Sequence, residues 1–198
     1  MTFLVALALV LRVFDRSGDS AANRQEAIGA ADAILRQADI SATWVDCSRD
    51  STLASHPLCS APLRSGELAI RITPGPSEIG TSEQRALGYS LVEPEVGGTL
   101  ATVFSDRVAW LASSSGVEYT PLLGRAVAHE IGHLLIGTNE HSPSGLMRAR
   151  WTSAELARNE RRDWLFTTDD HERLRRSRVG QEQTRLADAS QHEPKDGS

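Results

Sequence analysis

Hydrophobic and polar positions change period several times along this chain, and each change marks an element. From Val5 to Phe14 apolar residues dominate, with Arg12 the one charge. The run predicts a first strand over residues 5–14, closed by the turn Asp15-Arg16-Ser17-Gly18. Over residues 22–38 the spacing becomes helical. Ala27, Ala31, Ile34, Leu35 and Ala38 share one face, and Arg24, Gln25, Asp32 and Arg36 lie elsewhere. A second strand over residues 42–45 carries Trp44. This strand-helix-strand opening predicts a parallel pair joined by a helical crossover.

Residues 46–65 lack periodicity and read as an irregular loop. Leu68, Ile70 and Ile72 then alternate in a third strand over residues 67–73, stopped by Pro74-Gly75-Pro76. Residues 77–98 are rich in Gly, Pro, Ser and Glu and read as a long surface excursion. Residues 99–105 make a fourth strand, read as an edge, and residues 108–112 make a helical turn or two. Thr120-Pro121 offers a cap and a first-turn proline for a largely buried helix that ends near Ile136, with Gly137 as its left-handed stop. Thr152-x-x-Glu155 is a capping-box pattern opening a helix through about Trp164. Thr168 reads as the cap of a last helix over residues 169–176, with Leu174 facing inward.

Length and composition bound the picture. The 198 residues suffice for one domain with a sizeable core, predicted over residues 1–176. The segment 177–198 is Gln-, Glu-, Asp- and Ser-rich and reads as a disordered polar tail. The net charge of −5, with both signs interspersed and no basic-aromatic platform, gives nucleic-acid binding no support. The apolar first residues are too short to span a bilayer, and they serve either as the first strand or as the remnant of a secretion signal. Cys47 and Cys59, twelve apart, either close a small loop as a disulfide or remain free thiols. Export, to the periplasm or beyond, is favoured over the cytoplasm.

The chemistry concentrates in TPLLGRAVAHEIGHLLIGTNEHSPSGLM, residues 120–147. His129 and His133 stand four apart on a helix, so both imidazoles can reach one metal ion from one face. Neutral imidazole suits zinc, and Glu130 beside the first histidine can deprotonate a zinc-bound water without itself ligating the metal. His141 is the candidate third ligand. Glu155 and Glu160 are rivals for that place from a following helix, although Glu155 already serves as the capping-box carboxylate. His56, His171 and His192 read as isolated surface residues.

The stretch HEIGHLLIGTNEHSPSGLM resembles the metzincin metallopeptidase signature HExxHxxGxxH with its Met-turn, and within that clan it is most similar to matrixin-type sequences. The resemblance implies one catalytic zinc held by His129, His133 and His141, with Glu130 as general base and Met147 as the hydrophobic floor beneath the metal. It implies an α+β fold with an α/β-like start: a twisted mixed sheet of about four strands, packed helices, the active-site helix, a Met-turn and C-terminal helices. An upper-rim edge strand would pair with extended substrate, a place given to residues 99–105. In the family, glycine follows the second histidine by three residues, and the third histidine follows the glycine by three. Here both intervals are four. The expected activity is a zinc-dependent endopeptidase acting on peptide or protein substrates. The alternatives are a zinc amidase acting on a non-protein amide and a non-catalytic, metal-stabilised binding domain.

Overall fold

The first two strands pair in parallel because a helix returns the chain between them. Strand β1 (Ala8–Asp15) leads to helix α1 (Ala21–Gln37), capped by the Ser20 hydroxyl on the Asn23 amide, and then to β2 (Ser41–Asp46). The computed structural model describes residues 8–52, 56–76, 86–93 and 97–177. The polar tail expected after residue 177 lies outside them, as does the start of the expected first strand. Beyond β2 come the short helix α2 (Pro57–Ser60), β3 (Glu67–Thr73), β4 (Gly88–Glu93), β5 (Gly97–Phe104) and α3 (Ser105–Ser115). Then follow α4 (Tyr119–Ile136), α5 (Ser153–Arg158), a 3-10 turn (Arg161–Trp164) and a last helix, α6, over residues 168–177.

Among the described residues the sheet has five strands in the order β2-β1-β3-β5-β4, where about four were expected. Four run parallel, and β4 runs antiparallel to β5 at one edge. The strand expected over residues 99–105 is therefore interior. The edge belongs to β4, inside the stretch read as a surface excursion. Its sequence hides it. Gly88 and Ser90 point inward and are buried, whereas Tyr89 and Leu91 are exposed, so the apolar alternation labels the outer face instead of the core face.

Helices α1 and α4 lie side by side and bury an apolar layer against the sheet, with Leu11, Val13, Leu35, Ile70, Val103, Leu123 and Val127 in one cluster. They approach closely at Gly124, where a Cβ would stand 2.5 Å from the Ala27 carbonyl oxygen. Tertiary contact also resets the start of α4. The Tyr119 hydroxyl donates to Asp19 at 2.6 Å, and the helix opens at Tyr119 with Glu118 as its unbonded cap, so Thr120 does not cap it. At the other end the expected stop holds, with Gly137 at φ 80°.

Arg12 in β1 is 1% exposed and does not interrupt the strand. Its guanidinium pairs with Glu67 and donates to the carbonyls of Leu58, Ala61 and Pro62, tying down the segment that carries α2. The Cys47–Cys59 disulfide fastens the same segment to the end of β2. The capping box at Thr152 and Glu155 is present, although α5 ends at Arg158 and a separate 3-10 turn reaches Trp164. The cap of α6 is Thr167 and not Thr168: Thr167 and Asp170 exchange hydrogen bonds through side chain and backbone.

Candidate active site

Helix α4 carries the site because its apolar residues lock it under the sheet while one face meets a cleft. Leu122, Leu123, Val127, Ile131 and Leu134 are buried, so the rotation of the helix is fixed and with it the direction of His129 and His133. The cleft has a volume of about 530 Å³. Tyr89 and Ser90 of β4 border it on one side, and Arg148, Ala149, Arg150 and Trp151 border it on the other. Trp110, 53% exposed, also lines it.

Both helix histidines are held through Nδ1. His129 donates to the Leu146 carbonyl at 2.8 Å, and His133 donates to the Thr138 carbonyl at 2.8 Å. A carbonyl only accepts, so each ring keeps its proton on Nδ1 and turns a bare Nε2 lone pair inward. The two Nε2 atoms lie 3.0 Å apart. Two lone pairs at that distance repel each other, whereas two nitrogens bound to one tetrahedral zinc would lie roughly 3.3 Å apart. The donor set therefore fits a small divalent cation.

His141 completes the group: ligand atoms of His129, His133 and His141 all lie within 4.8 Å of one another. The wider spacing around Gly137 does not keep His141 away. The left-handed turn at Gly137 sends the chain back across the end of α4, and the ring of His141 sits 4.9 Å from that of His133. Glu155 and Glu160 are engaged elsewhere, Glu155 with Thr152 and Arg148 and Glu160 with Arg158 and Arg162. His56 caps α2, and His171 stands against Phe166. His192 lies outside the described residues.

Electrostatics keep the histidines in the form that ligates. Burial, then the neighbouring His133, pushes His129 down to about 3, and burial lowers His133 and His141 as well. Glu130 is buried between α4 and β4. Burial raises its carboxyl to about 7, opposed by a hydrogen bond from the Ser90 hydroxyl. Met147 is fully buried under α4. A Cβ on Gly132 would come 2.5 Å from its sulfur, so the helix rests on Met147 through a glycine beside His133.

Sequence reasoning missed two residues that shape the site. Ser90 touches Glu130 and gave no signal, being one serine in a stretch read as surface. Asp170, 0% exposed, accepts from Ser142, the residue after His141, and from Thr167. It ties the loop bearing His141 to α6. The pattern Thr167-x-x-Asp170 was readable, but the adjacent pair Thr167-Thr168 concealed which threonine caps.

No family model matches the chain, and no curated protein matches it. Solved structures do. The archaemetzincin of Methanopyrus kandleri is similar over 90% of this chain and 99% of its own, with a TM-score of 0.58 and 12% identity. Metalloproteinase-II of Bacteroides fragilis is similar over 87% of this chain, with a TM-score of 0.54 and 13% identity. This chain spans 54% of that protein's chain. At such identities the likeness is one of fold: a mixed sheet with packed helices, similar to that of an archaemetzincin and a metalloproteinase.

Proposed function

We propose that the chain is a zinc-dependent endopeptidase, with His129, His133 and His141 holding one zinc ion and Glu130 serving as general base. One observation carries the reading. Two Nδ1-anchored histidines bring bare Nε2 atoms to 3.0 Å beside a buried carboxylate, in a cleft along an open strand edge. When bound, zinc would polarise the scissile carbonyl and acidify water. Glu130 has Oε2 held by Ser90, which leaves Oε1 to take a proton from the attacking water and return it to the leaving amine.

Among the described residues the outer edge of β4 pairs with no other strand, and an extended peptide would add to it by main-chain hydrogen bonds. That role moves from residues 99–105, which are interior, to Gly88–Glu93. The buried Met147, packed against Gly132 beside His133, supports the reading of Met147 as the floor beneath the metal. A cleft running along a strand edge favours a chain of peptide groups over a compact non-protein amide. A metal serving only the fold would gain nothing from Glu130. The Cys47–Cys59 disulfide supports an oxidising compartment, and we place the protein outside the cytoplasm.

Metal analysis and a peptide-library digest test the reading. The purified chain should hold about one zinc, His129→Ala should lose it, and Glu130→Ala should keep it while losing hydrolysis. A wild-type chain that binds no metal from excess zinc would overturn the site. Undiminished cleavage by Glu130→Ala would overturn the base. Cleavage of non-protein amides alone would reassign the substrate.

A further inference from the structure

Glu130 sits on a helix, yet its carboxylate is received by a strand. The inward positions of β4 are Gly88 and Ser90, two apart and therefore on the same face. The Ser90 hydroxyl lies 2.7 Å from Glu130 Oε2 and 2.9 Å from the Glu130 carbonyl oxygen. At Gly88, an added Cβ would fall 2.5 Å from the Thr102 carbonyl oxygen of β5, and 2.7 Å from Oε1 and 2.9 Å from Cδ of the same carboxylate. One residue thus holds one oxygen, and the other leaves the room that the second oxygen fills. The outward positions of the same strand, Tyr89 and Leu91, face solvent, and Tyr89 lines the cleft.

From this geometry we infer that Ser90, with space left by Gly88, is the positioning residue for the Glu130 carboxylate, so that the strand which registers an extended substrate also aims the base. The catalytic consequence rests on the endopeptidase reading; the contact itself does not. A hydroxyl has one hydrogen and two lone pairs. Ser90 can donate to Oε2 or to the Glu130 carbonyl oxygen, and both lie within its reach. In both arrangements the serine oxygen stays in place beside Oε2, so the carboxylate keeps this neighbour while Oε1 takes a proton. Alanine offers neither arrangement. Because β4, among the described residues, pairs only with β5 and carries a register irregularity between Leu91 and Val92, substrate added to its outer edge would bear directly on the strand that holds the base.

Two measurements test the inference. The first is kinetic, on the zinc-loaded chain. Ser90→Ala should lower kcat roughly 10–100-fold with KM within about twofold and bound zinc unchanged, and Ser90→Thr, which keeps the hydroxyl, should recover most of the loss. The second needs no activity: a thermal double-mutant cycle on the zinc-free chain. Ser90→Ala should lower Tm by about 4 °C or more in the wild-type background and by less than half as much in Glu130→Ala. Equal shifts in the two backgrounds would overturn the contact. A Ser90→Ala enzyme with kcat within about twofold of wild type, or with a loss confined to KM, would overturn the positioning role. If the chain cleaves no peptide at all, the endopeptidase reading fails by itself, and the zinc-free cycle still decides whether Ser90 holds Glu130.

Discussion

Asp170 does not line the cleft and reaches the histidines only through its charge, which acts on His129, yet its replacement should weaken the metal site. The residue is fully buried in α6, and three donors converge on it: the Ser142 hydroxyl on Oδ1, and the Thr167 amide (2.8 Å) and hydroxyl (2.7 Å) on Oδ2. Ser142 follows His141 directly, and its amide donates to the Met147 carbonyl at 2.8 Å. Asp170 thereby fixes both the loop that presents His141 and the turn that carries Met147. Hydrogen bonds to a charged group contribute about 1.5–3 kcal/mol each before the burial of the charge is counted. Loss of a helix cap costs about 1 kcal/mol. Since the desolvation of a buried carboxylate offsets much of the gross gain, Asp170→Ala should destabilise the fold by about 3 kcal/mol, a large part of an ordinary domain's total.

The metal should feel the change through the loop and through the loss of a negative charge that acts on His129. Residues that orient ligands typically alter metal affinity by roughly 10–100-fold, which is about 1.4–2.7 kcal/mol. Competition with a chromophoric chelator at 25 °C, where the variant remains folded, measures this directly. Asp170→Asn keeps the shape and one acceptor oxygen, so it should fall between wild type and alanine on both scales. If Asp170→Ala lowers Tm but leaves zinc affinity within about twofold of wild type, Asp170 holds the helix alone and the proposed link to His141 is wrong.

Other perturbations probe separate parts of the argument. Gly124→Ala meets the Ala27 backbone at 2.5 Å, whereas Gly132→Ala meets side chains, the Met147 sulfur at 2.5 Å and the Phe166 ring at 2.9 Å. Calorimetry should therefore show the first losing more than the roughly 1–3 kcal/mol usual for overpacking and the second staying within it. Opening the Cys47–Cys59 link with Cys59→Ser should cost about 2–3 kcal/mol, for a loop of this length, in urea melts run without reductant. Burial pushes the Asp46 carboxyl up, but hydrogen bonds from Ser48 and Arg24 outweigh that and hold it below its ordinary 3.8. A depressed carboxyl stabilises the fold above its unfolded value and loses that contribution as pH falls through its folded value. Wild type should therefore lose stability below about pH 4, and Asp46→Asn should flatten that limb in a pH series of thermal melts.

Much of the site was legible because it is local. His129, Glu130 and His133 sit within one and a half turns of a single helix, and helical geometry by itself places both rings on one face. Gly137 marks the end of α4 through its own backbone freedom, and the Thr152–Glu155 box is a contact three residues long. His141 was harder. It reaches the other two only because a left-handed turn and a loop tethered by Asp170 return the chain, and neither follows from spacing.

The sequence by itself determined the elements rich in apolar residues, β1, α1, β2, β3 and α4, because that surface must be covered. The tertiary structure alone decided where that rule inverts. Strand β4 turns glycine and serine inward because the space there belongs to the carboxylate of Glu130 and the Thr102 carbonyl, and its apolar Tyr89 and Leu91 are exposed. Arg12 lies in a buried strand because loop carbonyls and Glu67 arrive from up to fifty-five residues away to satisfy it. Such partners are distant along the chain and adjacent only in space, so the local pattern of a sequence carries no record of them.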